Sequence, residues 1–317
     1  MKLVCPDGEP EYYSLLEPEQ LARLEANGNE LEWFDSAPES VEGWVDRLRG
    51  AQGVLLLWRL PPGVLLACPS VRVVSFVGTG VESYVEMDEA RASDVTVCNV
   101  PRYGANAVAE HALALALAVA RRVADGDRAV RAGSWGQTEG VELYGRRLGV
   151  VGAGPIGARM IELGRGLGMT VVCWTRRRTP DRERELGAPI VELDHLFATA
   201  DVVSLHLAHT PETEGIVNRR LLSMLRPHAI VVNTARGALV DETALVELLE
   251  AGSIGGAGLD VLGSEPPPAD HPLLSAPRVV LTPHVGFRTA EASGELIRVS
   301  LENLIAYARG ERQNVRG

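Results

Sequence analysis

The chain has 317 residues, 46% of them hydrophobic, enough to bury a sizeable core and to form two domains. Its 31 basic and 42 acidic residues leave a formal charge of −11, which excludes a global attraction to nucleic acid or an anionic membrane and makes any basic cluster a local question. Four scattered cysteines, Cys5, Cys68, Cys98 and Cys173, form no C-x-x-C pair, and no set of histidines and carboxylates has metal spacing, so neither a disulfide framework nor a metal site is expected.

The opening "MKLVCPDGEP" lacks the long apolar region of a secretion signal, and the longest apolar stretch, "ALALALAVA" (112–120), is far below membrane-spanning length. A cytoplasmic protein is expected. In the first hundred residues "KLVC", "LEWF", "GVLLLW", "VRVVSFV" and "VTVCNV" alternate with helix-like spacers such as "EPEQLARLEAN", which predicts parallel strands in a small α/β domain. Next comes "NAVAEHALALALAVARRVADGDRAVRAG", read as one helix with Asn106 at its N-cap and few breakers before Gly126. Its first half is apolar nearly all round, which predicts burial between domains or against a second subunit; the 104–132 region is the expected homodimer element.

From Leu148 a second series begins: "LGVVGAG", "TVVCW", "DVVSLHL", "AIVVNTA", "GGAGLDV" and "RVVLTPH". Six such runs suit a complete doubly wound parallel sheet. The closing "TAEASGELIRVSLENLIAYARG" reads as an amphipathic helix with no strand after it, packing back on the first domain, and "SEPPPADHP" as a proline-rich loop.

"VVGAGPIGARM" places Gly152, Gly154 and Gly157 in G-x-G-x-x-G spacing between a strand-like and a helix-like run, as one βαβ unit requires. Such a turn lets a pyrophosphate approach the backbone, and the helix N-terminus behind it offers free N–H groups and a favourable dipole. About twenty residues on, where the NAD form of this unit carries a carboxylate for the ribose hydroxyls, "VVCWTRRRTP" carries Thr175 followed by Arg176, Arg177 and Arg178. A hydroxyl beside guanidinium groups suits a 2′-phosphate dianion, so NADPH is expected to be preferred over NADH. Arg178 and the following "DRERE" are read as a solvated run.

In an open α/β sheet ligands bind outside the carboxyl ends of the strands. Three later runs end there in polar residues: "VVNTARG" in Arg236, "GLDVLGSEPP" in Asp260 and Glu265, "VVLTPHVGF" in His284. They suit carbonyl reduction. A hydride arriving at a carbonyl leaves charge on oxygen, which a protonated histidine neutralises; a carboxylate behind the imidazole orients it and favours its charged form; an arginine holds an α-carboxylate or polarises the carbonyl. His111 is read as a hydrogen-bonded packing residue, while His206 and His209 follow a strand that should border the cofactor.

Together "VGAGPIG", "AVAEHALALAL", "NTARG", "LDVLGSEP" and "TPHVGF" resemble the D-isomer-specific 2-hydroxyacid dehydrogenases, over essentially the whole chain. The resemblance implies Arg236, Glu265 and His284 as catalytic residues. It implies a Rossmann nucleotide domain at 99–287 and a smaller, flavodoxin-like substrate domain made of 1–98 and 288–317, with the active site in the cleft between them and a homodimer as the usual assembly. Cofactor contacts are expected from Gly152, Gly154, Pro155, Ile156, Gly157, Thr175, Arg176, Arg177, Leu207, Thr234, Ala235, Asp260 and Gly286. The substrate carboxylate is expected on the backbone N–H groups of Val77, Gly78 and Thr79 in "FVGTGVES", a task that needs close approach.

The chain departs from the family in "VESYVEMD", which carries one extra residue, and in the bulky Phe287 and Arg288. Arg59 and Arg288 near the substrate would favour a second anionic group on a 2-oxoacid; the alternative is that both are surface or interdomain arginines. The reading is an NADPH-preferring 2-oxoacid reductase. Its alternatives are a same-fold oxidoreductase acting on formate or phosphite, and a dinucleotide-sensing corepressor, against which stands the absence of an added tail for partner recruitment.

Overall fold

Runs of β-branched and aliphatic residues form buried parallel strands, and the loops between them carry the chemistry. The computed structural model describes residues 1–26 and 28–316; Asn27 and Gly317, the latter closing the expected substrate-domain range, lie outside the described residues. Two compact units emerge, 1–103 joined by the stretch from Thr289, and Gly104–Arg288. The divisions fall after 103 and 288 rather than after the expected 98 and 287. Residues 99 and 100 stay with the first unit because Val100 N–H donates to Gly78 O (2.8 Å) and Asn303 Nδ2 donates to Asn99 O (3.0 Å).

In chain order the strands are β1 (Lys2–Cys5), β2 (Glu30–Trp33), β3 (Gly53–Leu56), β4 (Val73–Phe76) and β5 (Thr96–Cys98) in the first unit. The second unit holds β6 (Arg147–Val151), β7 (Thr170–Trp174), β8 (Val202–Leu205), β9 (Ile230–Asn233), β10 (Gly256–Leu259) and β11 (Val279–Leu281). The chain then returns to the first unit for β12 (Val315–Arg316).

The first sheet runs β12-β5-β4-β3-β1-β2, parallel except for β12. Without β12 this is the flavodoxin order, 2-1-3-4-5. Alternate residues of each strand face opposite sides. Val54, Leu56, Val74 and Phe76 meet Trp44, Leu48, Val64 and Leu65 on one face. On the other lies the helix Ala290–Ala308, as expected, packed on β3 and β4. A strand does follow it, contrary to expectation: Val315 pairs with Cys98 and Arg316 with Val97, antiparallel. Two residues of pairing carry too weak a pattern to read in sequence.

The second sheet runs β11-β10-β9-β8-β6-β7, all parallel, with β6 and β8 adjacent although β7 lies between them in sequence. Beyond β7 a parallel bridge joins Cys173 to Ile190, with Cys173 N–H on Pro189 O and Val191 N–H on Cys173 O, both 2.9 Å. That bridge is the third strand of a 3-2-1-4-5-6 dinucleotide sheet reduced to one residue, since Pro189 has no N–H to extend it.

The long helix is shorter than expected. It spans Ala105–Ala120 with Gly104 at the N-cap, so Asn106 sits inside it. Arg121 and Arg122 N–H close its end on Leu117 O and Val119 O, Arg122 turns left-handed (φ 53°), and a separate helix, Val123–Arg131, begins. Only one stripe, including Ala109, Ala112, Leu115, Ala116 and Val119, is buried; beyond the break Val123, Val130 and Trp135 stand 58%, 51% and 84% exposed. Among the described residues no helix is long and apolar enough to cross a membrane.

Buried Asn303 ties the last helix to β4, to the residue after β5 and to the residue before β12: it donates to Ser75 Oγ (3.2 Å) and Asn99 O (3.0 Å), and accepts from Asn314 Nδ2 (2.9 Å). Replacing it with Ala strands buried partners at a cost of about 1–3 kcal/mol. The Asn303→Ala variant should therefore unfold at lower urea with an unchanged slope, measured by circular dichroism; an unmoved midpoint would show the cluster to be energetically idle.

Candidate active site

The glycine turn follows β6 at the point where the strand order reverses. Gly152 holds φ 97°, and a Cβ there would stand 2.6 Å from His206 O, which follows the neighbouring β8. A Cβ on Gly157 would stand 1.9 Å from Gly152 O, so the helix can start this close to the strand only without a side chain. Gly154 is the N-cap and Pro155 the first residue of the helix Pro155–Gly166, where the missing proline N–H costs no helix bond. Beside Gly154 the space is open, with nothing within 4 Å of a would-be Cβ, so a pyrophosphate can approach the backbone at the positive end of the helix.

Past the carboxyl ends of β8 and β9, two buried polar atoms find no partner among the described residues: His206 Nδ1 and Thr234 Oγ1. His206 uses its other nitrogen on Ser204 Oγ (2.9 Å), and burial pushes its pKa down to about 4, so it lines the crevice as a neutral ring. Open backbone, close helix approach and orphaned polar atoms fit a dinucleotide.

At the end of β7 the arginines divide. Arg176 Nη2 donates to Thr210 Oγ1 (3.3 Å) and lies 3.6 Å from Glu212 Oε2. Arg177 is exposed. Arg178 pairs with Glu192 and sits over the Trp174 ring (5.8 Å). Arg182, read in sequence as solvated, is only 24% exposed and donates to Ala153 O inside the glycine turn. Thr179 Oγ1 caps the helix Pro180–Leu186 by accepting from Arg182 N–H (3.1 Å), and that first turn aims Arg182 back at the crevice. The T-P pair that starts this helix was the signal available in sequence.

Arg236, Asp260, Glu265 and His284 lie at the carboxyl ends of β9, β10 and β11. Buried Asn233 shapes the 234–236 turn, accepting from Ala235 N–H (3.0 Å) and donating to Arg236 O (2.9 Å). The Arg236 guanidinium donates to Ala235 O at 2.6 Å. Glu265 Oε1 accepts from Leu262 N–H (3.1 Å), and Oε2 lies 2.7 Å from His284 Nδ1. Burial alone would raise the Glu265 pKa; the His284 hydrogen bond and charge, the Leu262 amide and the Arg236 charge hold it below the usual carboxylate range. The Glu265 loop is itself held by Glu242, a residue not singled out in sequence, which accepts from Gly263 N–H (2.8 Å).

His284 is left-handed (φ 54°), its N–H bonded to Asp260 O (2.8 Å), and its ring packs edge-on against Phe287. Asp260, expected as a cofactor contact, accepts hydrogen bonds at both oxygens from within the chain. Oδ1 accepts from Thr282 Oγ1 (2.6 Å) and Val285 N–H (2.9 Å), and Oδ2 from Gly286 N–H (2.8 Å). Because Thr282 gives its proton to Asp260, its oxygen accepts from His111 Nε2 (2.9 Å), which lies 3.3 Å from Asp260 as well. Burial pushes the Asp260 pKa up and these hydrogen bonds bring it below the usual value.

The first unit has its own carboxyl-end loops. Val77 N–H, expected to bind a carboxylate, donates to Leu56 O (2.8 Å) and is spent on the sheet. Among the described residues the Gly78 and Thr79 amides have no acceptor in the chain; Thr79 Oγ1 donates to Val100 O (2.8 Å). Arg59 is exposed and faces Glu86 at 3.6 Å, so its charge is already opposed. Arg288 N–H closes the 285–288 turn on Val285 O (2.8 Å). Asp7, unremarked in sequence, is 1% exposed and accepts from Leu57 N–H (3.1 Å) and Trp58 N–H (2.7 Å), fixing the turn that precedes Arg59. Among the described residues no group of three or more His, Cys, Asp or Glu is arranged to hold a metal.

The model of the D-isomer specific 2-hydroxyacid dehydrogenase NAD binding domain matches residues 113–286. The chain is 38% identical over 287 residues to the glyoxylate reductase of Korarchaeum cryptofilum, covering 88% of this chain and 86% of that one. It is 41% identical over 231 residues to the D-3-phosphoglycerate dehydrogenase of Mycobacterium leprae, covering 72% of this chain but 43% of that longer protein. A solved acyclic imino acid reductase (Bsp5), in complex with NADPH and D-Arg, matches with a TM-score of 0.87 at 28% identity, over 100% of both chains.

Asp7 gives the chain a pH signature. Burial raises its pKa from 3.8 to about 6, against the two amide hydrogen bonds and the Arg47 charge, which lower it. A carboxyl raised on folding contributes stability that is complete below the unfolded pKa and is lost as pH rises through the folded one. From pH 4 to 7.5 that loss is on the order of 3 kcal/mol at about 1.4 kcal/mol per unit. Urea titrations of wild type and Asp7→Asn should show the wild type losing ground to the variant by that order across the interval; a constant difference between the two would refute the shift.

Proposed function

We propose that this chain, which belongs to the D-isomer-specific 2-hydroxyacid dehydrogenase family, reduces a 2-oxoacid to the D-2-hydroxyacid with His284 as proton donor and NADPH as preferred cofactor. The second unit is then the dinucleotide-binding domain and the first the substrate-binding domain, and the chain works as a homodimer through the 104–132 region. The observation that carries the reading is the His284–Glu265 pair at 2.7 Å, on the same sheet as the glycine turn.

A reduced nicotinamide dinucleotide would, when bound, supply the hydride. The residues that would hold the cofactor are Gly152, Gly154, Pro155 and Gly157 for the pyrophosphate, Thr175 and Arg176 for the ribose phosphate, and Thr234, whose buried hydroxyl has no partner in the chain. His284 manages the proton. Glu265 takes Nδ1, and among the described residues nothing accepts from Nε2, so Nε2 is the nitrogen that hands its proton to the developing alkoxide. Asp260 sets where that nitrogen stands, because it fixes the amides of Val285 and Gly286, the two residues that follow His284. Arg236 polarises the carbonyl and anchors the carboxylate with a charge that no ordinary pH removes.

His284→Asn should lower kcat/KM for glyoxylate or pyruvate by about 10²–10⁴-fold, the span of a lost general acid. Glu265→Gln should lower it by about tenfold while the cofactor KM stays within about twofold, since it removes orientation and not binding. Full activity in His284→Asn would reassign the proton donor. For the cofactor, the wild type should show the higher kcat/KM with NADPH. Arg176→Ala should cut the NADPH-to-NADH ratio by about tenfold, the loss of one charge-assisted bond. A wild type favouring NADH would refute the 2′-phosphate assignment.

A further inference from the structure

The loop after β8 presents a carboxylate to the arginine that the ribose phosphate would use. Buried Thr213 fixes this loop: its Oγ1 accepts from Thr210 N–H (2.8 Å) and donates to Ala208 O (2.7 Å). Thr210 Oγ1 in turn donates to Glu212 Oε2 (2.7 Å), so the Glu212 side chain is aimed by the loop. Arg176, from the loop after β7, reaches across to both, 3.3 Å from Thr210 Oγ1 and 3.6 Å from Glu212 Oε2. In the sheet β6 lies between β7 and β8, so this contact spans the end of β6, where the glycine turn opens.

We propose that Glu212 is a specificity-determining residue, which moderates the preference for NADPH by competing with the 2′-phosphate for the Arg176 guanidinium. The inference rests on the reading that Arg176 meets that phosphate. With NADH the ribose hydroxyl asks for no cation, and Arg176 keeps its carboxylate. With NADPH a phosphate dianion and a carboxylate claim one guanidinium and repel each other across it. The hydrogen bonds from Thr210 and from its own backbone, then the Arg176 charge, hold the Glu212 pKa below its usual value, so the competitor stays ionised near neutrality. Of the neighbouring cations, Arg178 is engaged with Glu192 and Arg182 with Ala153 O, while Arg177 is exposed.

The test is Glu212→Gln, which keeps an oxygen for Thr210 and removes only the charge. Dissociation constants of NADP⁺ and NAD⁺ are measured by isothermal titration calorimetry on wild type and variant, at low and at moderate salt. The substitution should raise the selectivity for NADP⁺ over NAD⁺ by about threefold at low salt, the scale of an exposed pair, and by less as salt screens it. A wild type selective for NADP⁺ whose selectivity is unchanged or lowered by Glu212→Gln overturns this inference alone. A wild type selective for NAD⁺ overturns the 2′-phosphate reading beneath it.

Discussion

A parallel sheet puts all its strands' carboxyl ends on one edge, and the rest of the second unit follows from that constraint. Six strands in the order β11-β10-β9-β8-β6-β7 deliver six loops to one rim. Because β7 turns one way from β6 and β8 the other, the loops beside β6 separate and leave a crevice there. Gly152 and Gly157 let strand, helix and the β8 loop close to within contact of one another at its floor. The catalytic candidates then follow in chain order at the ends of β9, β10 and β11. Chemistry is spread over residues 152–284 in sequence and gathered by topology.

What topology gathers, buried polarity must hold in place. Asp260 is the clearest case, a nearly inaccessible carboxylate that would be costly to bury ionised if it lacked donors. Thr282, Val285 and Gly286 provide them, with His111 close by, and each one binds the segment carrying His284 to β10 or to the helix Ala105–Ala120. The left-handed backbone of His284 is sustained by the same grip. Glu265 is built on the same logic: it is held by Leu262 from its own loop and by His284 from another, and the resulting carboxylate stays ionised because its partners favour that form.

The legible features in sequence were those with a period or a spacing. Eleven apolar runs gave β1 to β11, and the glycine spacing placed the turn, because strand burial and backbone approach both restrict residue choice over several positions. His284 and Glu265 could be paired because both follow runs in one series. The missed features depend on single backbone states or on partners distant in sequence. Nothing in "VARRVAD" announces that Arg122 turns left-handed and ends the helix. Val77 N–H is spent on Leu56 O, a bond set by sheet register. The Ile190 bridge is one residue long, shorter than any pattern can reveal. The donors that hold Asp260, Thr282 and the Val285 and Gly286 amides, lie more than twenty residues away in sequence and only the structure brings them to it.

The arginines after β7 show why charge runs resist reading by composition. In a chain of net charge −11, binding a polyanionic cofactor needs cations placed against the general field. A run of arginines supplies charge, yet most of that charge is cancelled at once: Arg178 by Glu192, Arg184 by Asp181, Arg182 by Glu185. What distinguishes one arginine from the next is the direction its own loop gives it and the strength of its counter-ion. Arg182 points into the glycine turn because a capped helix begins at Thr179; Arg176 spans the crevice because the β8 loop holds out Thr210 and Glu212. Exposed pairs of this kind are weak, so under the proposed 2′-phosphate reading a bound phosphate would displace a carboxylate held at 3.6 Å without unfolding anything.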